Sequence, residues 1–272
     1  MKNKLLFLIF SSIFAASTVQ ADELCGRVGQ GEIVFGKTAP ESDVKFNNNK
    51  IFTTSDGIFM IAFGRDEKGL QTLEIDGRRY SLEVEPTKWD IQNLKGVPPR
   101  KVTPSDSDLE AIELERKLMR AALRQLNESE AWRSGFIKPV EGRISGQFGG
   151  QRIMNKIPKN PHQGMDIAAK EGTEVKASAD GEVVLAYPDL FYSGNVVVID
   201  HGFGLQTIYA HLKEMKCKRG DKVKQGDVIG LVGKTGRVTG PHLHWGASLR
   251  NTRFNPQSLL DAKEYQNKCK IL

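Results

Sequence analysis

Three kinds of residue or segment are scarce in this chain, and each scarcity excludes something. Only three cysteines occur in 272 residues, Cys25, Cys217 and Cys269. They form no CxxC motif and do not match a zinc knuckle, so no metal centre is built from thiolates. Past residue 21 no apolar run is long enough to span a bilayer, which takes about 20 residues. Histidine is missing altogether from the first 161 residues. The charge bias is also small: a formal +6, falling to +4 without Lys2 and Lys4. Such a surface carries no nucleic-acid motif, and no nucleic-acid partner is expected.

What is present begins with residues 1–21. Lys2 and Lys4 precede an apolar run from Leu5 to Ala16, and Val19-Gln20-Ala21 ends in small residues at the −3 and −1 positions. This is the layout of a secretory signal peptide cleaved near Ala21, which places the mature chain in the periplasm or outside the cell. Bulky Leu24 before Cys25 argues against a lipid anchor there. In an oxidising compartment two of the three cysteines are expected to pair. Cys217 and Cys269 lie in the same half of the chain and are the favoured couple.

Residues 22–97 read as a small β-sandwich. Candidate strands are 32–35, 51–54, 57–63, 71–75 and 79–84, with Asp76-Gly77 as a hairpin turn between alternating runs. Prolines mark a boundary over 96–104. Leu109, Ile112, Met119, Ala122, Leu123 and Leu126 then recur at helical spacing, giving an amphipathic helix of about six turns within a linker, 98–130. Its apolar stripe is expected to pack against the body of the protein. Residues 131–262 return to glycine-rich strands, at 174–178, 181–186, 195–200, 205–211, 228–232 and 242–248, and 263–272 form a tail. No long helix separates these strands, so the sheet is expected to be antiparallel.

All five histidines fall between 162 and 244. His242 and His244 are two apart, so a strand places both on one face, with Leu243 and Trp245 opposite. His162 and Asp166 are four apart. With Pro161 before them and Gly164 between, a loop entering a strand suits them better than a helix. His211 ends a strand, and His201 reads as a structural turn residue. Singly, each of these is weak.

Together they resemble the lysostaphin/LytM-type zinc endopeptidases. The likeness rests on Pro139-Val140-Glu141-Gly142 with Phe148-Gly149, and on His162-Gln163-Gly164-Met165-Asp166. It continues through Val198-Ile199-Asp200-His201-Gly202, Tyr209-Ala210-His211-Leu212 and Gly233-Lys234-Thr235-Gly236. Thr239-Gly240-Pro241-His242-Leu243-His244-Trp245 and Asn255-Pro256 complete it. The resemblance implies a mainly β fold with a compact, barrel-like C-terminal sheet sandwich. It implies one zinc ion held by His162, Asp166 and His244, with His211 and His242 as the catalytic pair. The substrate class it implies is the peptide cross-link of peptidoglycan, the D-alanyl–diaminopimelate bond in particular. Some members lack ligands and regulate other cell-wall hydrolases, so a latent or non-catalytic regulator is the alternative. Phe191 and Tyr192, in the connection 187–195, are expected to line the substrate groove. Residues 22–130 carry no matching residue and are expected to dock on the wall or a protein partner, or to cover the groove.

Overall fold

A computed structural model describes residues 21–96, 105–265 and 269–272. The expected leader lies, but for Ala21, outside them, as does most of the proline-marked boundary. The protein is mainly β, and no helix among the described residues is long and apolar enough to cross a membrane.

The first half forms two four-stranded antiparallel sheets. One runs in the order Cys269–Ile271, Glu23–Cys25, Ile33–Lys37, Ile58–Ala62; the other runs Asn49–Lys50, Val44–Phe46, Gly69–Ile75, Arg78–Val84. Alternate residues of both point inward, and Val34, Phe59, Ile61, Val44, Leu73 and Ile75 meet there fully buried. Asp76 and Gly77 take φ of 49° and 80°, the left-handed pair that a two-residue hairpin needs. The expected strand at 51–54 is not formed: pairing with Val44–Phe46 uses Asn49 and Lys50 instead, and Thr53 makes only an isolated bridge to Phe59.

The C-terminal strand of this sandwich also corrects the cysteine pairing. The disulfide joins Cys25 to Cys269, which face each other across the Glu23–Cys25 and Cys269–Ile271 ladder. Cys217 is left as a half-buried free thiol near the Ile229 carbonyl. Nearness in sequence misled here, because the chain end crosses the molecule to become a sheet edge.

The helix α1 spans Asp106–Leu123, five turns rather than six. The backbone N–H of Ser105 donates to the Asp108 carboxylate at its start. Leu109 and Leu126 are exposed, while Ile112, Ala122 and Leu123 are buried. The lower part of the helix packs on Val184, Leu185, Val196, Val198, Ile208 and Ala210, one face of the large sheet.

That sheet has the antiparallel path Lys222–Val223, Gly181–Leu190, Gly194–Asp200, Leu205–Met215, Leu243–Leu249, Met165–Ala168, Arg143–Gly146. Val228–Val232 pairs both with Glu174–Lys176 and with the far end of Leu205–Met215, folding the sheet over a core of Val197, Ile199, Tyr209, Leu243 and Trp245. A second core cements the two halves: Ile33, Met60 and Ala62 meet Trp132, Phe136, Phe203, Leu205 and Phe254. Each of the larger side chains among them contributes about 1.5–3 kcal/mol by leaving water. The Ile91–Leu94 strand, unforeseen in the sequence, pairs in parallel with Gln151–Met154 and adds a further tie between the halves.

Candidate active site

Two neighbouring strands set the centre of the site. Met165–Ala168 runs antiparallel to Leu243–Leu249 with Asp166 directly opposite His244, so their side chains rise from the same face. Met165 and Trp245, one residue out of phase, point into the core instead. His162 comes from the loop before the first strand, fixed by its N–H to the Gly150 carbonyl at 2.8 Å and by Gly149 N–H to its own carbonyl at 2.9 Å.

The three side chains converge on one point. His162 Nε2, Asp166 Oδ1 and His244 Nδ1 form a triangle with all three sides 3.0 Å. His162 Nδ1 is 2.9 Å from the Gln147 carbonyl, to which it can only donate. In the neutral ring, Nε2 then carries a lone pair aimed at a carboxylate oxygen and at another imidazole nitrogen. Lone pairs facing one another at 3.0 Å repel unless a cation lies among them. The donor set therefore fits a divalent metal, and two imidazoles with a carboxylate fit zinc. The outward bond to Gln147 orients His162 in the manner of metal-ligating histidines generally. Burial opposes ionisation of Asp166, but its bonds to His162 and His244 outweigh this and hold the carboxyl far below its ordinary range. For His244 burial dominates and lowers its proton affinity.

Two glycines make room for this geometry. A Cβ on Gly164 would meet the Trp245 carbonyl at 2.6 Å and His244 Nε2 at 2.7 Å, and one on Gly146 would meet Asp166 Oδ2 at 2.5 Å. Gly164 stood in the His162–Asp166 motif, whereas Gly146 had no signal in the sequence.

His211 and His242 stand beside the triangle, their rings 4.9 Å apart, with His211 5.8 Å from His244. His242 Nε2 lies 3.7 Å from Asp166 Oδ1, and its Nδ1 bonds the Gly240 carbonyl at 2.9 Å. His211 Nδ1 donates to the Thr235 carbonyl at 3.0 Å. Both rings thus turn Nε2 away from their anchors. Burial, with the neighbouring His244 and His242, pushes the His211 pKa down to about 3, so it is neutral at physiological pH. Its backbone has φ 65°, where the Leu205–Met215 strand loses regular register with its neighbours. A non-glycine residue held there is strained by about 1–3 kcal/mol, and surrounding contacts must hold it. One of these is His211 N–H to the Ser193 carbonyl at 2.8 Å.

Ser193 belongs to the turn Phe191–Ser193, shorter than the expected connection because strand continues to Leu190. The Phe191 and Tyr192 rings meet edge to face at 4.8 Å, and the Arg237 guanidinium lies 5.8 Å over Tyr192. Under this turn sits Glu115 of α1, which the sequence did not single out. It is buried, and its carboxylate accepts Tyr192 N–H at 2.7 Å, Ser193 N–H at 3.1 Å and the Ser193 hydroxyl at 2.5 Å. His201 is no part of the centre. It is fully buried 2.6 Å from the Asp180 carbonyl and 2.7 Å from the Thr207 hydroxyl, the structural role expected of it.

A His–Asp–His set with a flanking imidazole pair has the layout of a hydrolytic metal site rather than a structural one, which uses four protein ligands. Comparison with known proteins agrees: residues 160–256 match Peptidase family M23. Among curated relatives, the peptidoglycan DD-endopeptidase ShyA of Vibrio cholerae is 45% identical over 123 residues, 43% of this chain and 28% of the relative. The DD-carboxypeptidase/endopeptidase Mpg of Neisseria meningitidis is 43% identical over 129 residues, 47% of this chain and 30% of the relative. The aligned part is thus under a third of those relatives' length. A provisionally named peptidase M23 from Pseudomonas aeruginosa has a solved structure with TM-score 0.68 and 28% identity, covering 88% of this chain and 97% of that one.

Proposed function

We propose that this chain is a zinc-dependent endopeptidase that hydrolyses peptide cross-links of peptidoglycan, with the D-alanyl–diaminopimelate bond as target, outside the cytoplasm after loss of residues 1–21. The observation that carries this reading is the 3.0 Å triangle of His162, Asp166 and His244 with two imidazoles beside it. The names of the relatives support the substrate class.

Zinc held by the three residues would supply Lewis acidity toward the scissile carbonyl and acidify water. The chain's own groups do the rest. His211 and His242 each present an Nε2 whose opposite nitrogen is pinned to a carbonyl, by Thr235 and Gly240. Such a nitrogen accepts a proton from the attacking water and returns it to the leaving amine. Once protonated it donates to the oxyanion. Phe191 and Tyr192 form a groove wall, and the sandwich of residues 22–97 docks the enzyme on its wall or on a protein partner.

Purified full-length protein, assayed on cross-linked muropeptides with mass spectrometry of the products and elemental analysis of the protein, tests this. About one zinc per chain and release of monomers cut at the D-alanyl bond are expected. Bound zinc without turnover would instead favour the regulator.

A further inference from the structure

Arg253 lies on the short strand Thr252–Phe254, opposite Ser248. Its guanidinium runs back over Gly246, where a Cβ would be 3.4 Å from Nη1, and its charge is felt by His244. It lines a cleft of about 520 Å³ whose walls are His162, Gln163 and Phe148 on the metal side and residues 64–68 on the sandwich side. The side chain is half-buried. Burial lowers its pKa to about 10, so it stays charged at neutral pH.

The other arginines sunk into this region are each held by at least one hydrogen bond, although the buried Arg250 Nη1 has no partner among the described residues. Arg65 donates to the Gly149 carbonyl at 2.7 Å and to Asp66, and Arg250 donates to the Met60 carbonyl at 2.7 Å. The Arg253 guanidinium has no hydrogen bond or ion pair among the described residues. Asp66 on the opposite wall is taken by Arg65, and Glu67 lies outside ion-pair range. A partly desolvated guanidinium without a partner gains little, whereas one facing a carboxylate makes two parallel charge-assisted bonds. The planar fork, the open cleft and the adjacent metal ligands together describe a carboxylate receptor.

We infer that Arg253 binds a free carboxylate of the substrate peptide flanking the scissile bond, received in the cleft between the metal site and the N-terminal sandwich. This rests on the endopeptidase reading, in which the cross-linked stems carry such carboxylates. It also gives the sandwich, through residues 64–68, a part in lining the substrate site in addition to its docking role.

The test uses full-length wild type, Arg253→Gln and Arg253→Lys on two probes: a cross-linked muropeptide dimer with free carboxylates and the same dimer amidated. On the acidic dimer, Arg253→Gln is expected to lose about tenfold to a hundredfold in kcat/KM, mostly in KM, the range of a charge-assisted pair. Arg253→Lys recovers part of that loss, and zinc content and Tm stay at wild-type values. On the amidated dimer wild type and Arg253→Gln are expected to be alike. Equal losses on both dimers overturn the inference. If wild type cleaves neither, calorimetric binding of the two dimers decides. An Arg253-dependent preference for the acidic one keeps the receptor while the endopeptidase reading falls, and no preference removes the receptor.

Discussion

Replacing Glu115 should damage both the stability and the turnover of a site to which it contributes no atom. The carboxylate is 6% exposed and receives three donors from the turn Phe191–Ser193. Hydrogen bonds to a charged group are each worth about 1.5–3 kcal/mol, but three that share one charge do not add. Water reaches the turn in part, since Tyr192 is 37% exposed, and refills some of the loss. Glu115→Ala should therefore cost about 3 kcal/mol, and Glu115→Gln, which keeps the volume and one acceptor, about 1 kcal/mol. For a chain of this size the alanine variant's Tm should fall by roughly 6–12 °C. The Ser193 carbonyl holds His211 N–H in its left-handed conformation. Loosening the turn moves that ring, and a shift near 1 Å costs about 10²-fold in rate. Urea denaturation followed by circular dichroism, zinc content and muropeptide turnover would be measured on the same preparations. Zinc should stay bound while turnover falls in both variants, more in alanine. A Glu115→Ala protein that loses less than about 1 kcal/mol and turns over normally would refute the reasoning, because α1 would then merely rest on the sheet.

His162→Ala should empty the metal centre, since two ligands remain from a three-ligand set; full zinc occupancy in that variant would sink the ligand assignment. His211→Ala should keep zinc and lose about 10²–10⁴-fold in turnover, and loss of zinc would make His211 a ligand instead. Acid sensitivity should expose a compensation at the turn after Gly194–Asp200. Buried His201 has its pKa lowered to about 4, so between pH 6.5 and 4 the unfolded chain binds the extra proton and stability falls on acidification by about 3 kcal/mol. Burial raises Asp200 to about 6, so between pH 6 and 3.8 the folded chain binds the extra proton and stability rises by about the same amount. Asp200→Asn removes only the second contribution, and its denaturation midpoint should fall more steeply than wild type from pH 6 to 4; parallel curves would show that the two groups do not titrate this way.

Strand alternation made one part of the centre legible, the shared face of His242 and His244; the gathering of His162, Asp166 and His244 was implied only by the family resemblance, and the pairing of the Asp166 and His244 strands needed the fold. The Asp76-Gly77 hairpin and the packed face of α1 were readable for the same local reason. Glu115 was not, because a glutamate in a helix rich in glutamate and arginine looks solvated until the turn it supports is in place. The overshoot of α1 to Leu126 came from counting apolar residues past Arg124, where the backbone leaves the helix. Arg253 left no mark either, since an arginine in a strand ordinarily reaches water. Nor was the strand Ile91–Leu94 visible, as its parallel partner lies some sixty residues on.

The Cys25–Cys269 bridge has a consequence in time. Its second thiol is 244 residues later than its first and belongs to a strand that pairs with Glu23–Cys25 at the edge of the sandwich. Cys25 must therefore wait as a thiol while nearly everything between is synthesised, alongside Cys217, which comes earlier in the chain and can form the wrong bond first. Correct closure selects chains whose two halves have already met, so oxidation acts as a late check on assembly rather than as a guide to it. Ring closure over so long a loop then removes about 5 kcal/mol worth of unfolded-state freedom, a restraint that appears only after folding has succeeded.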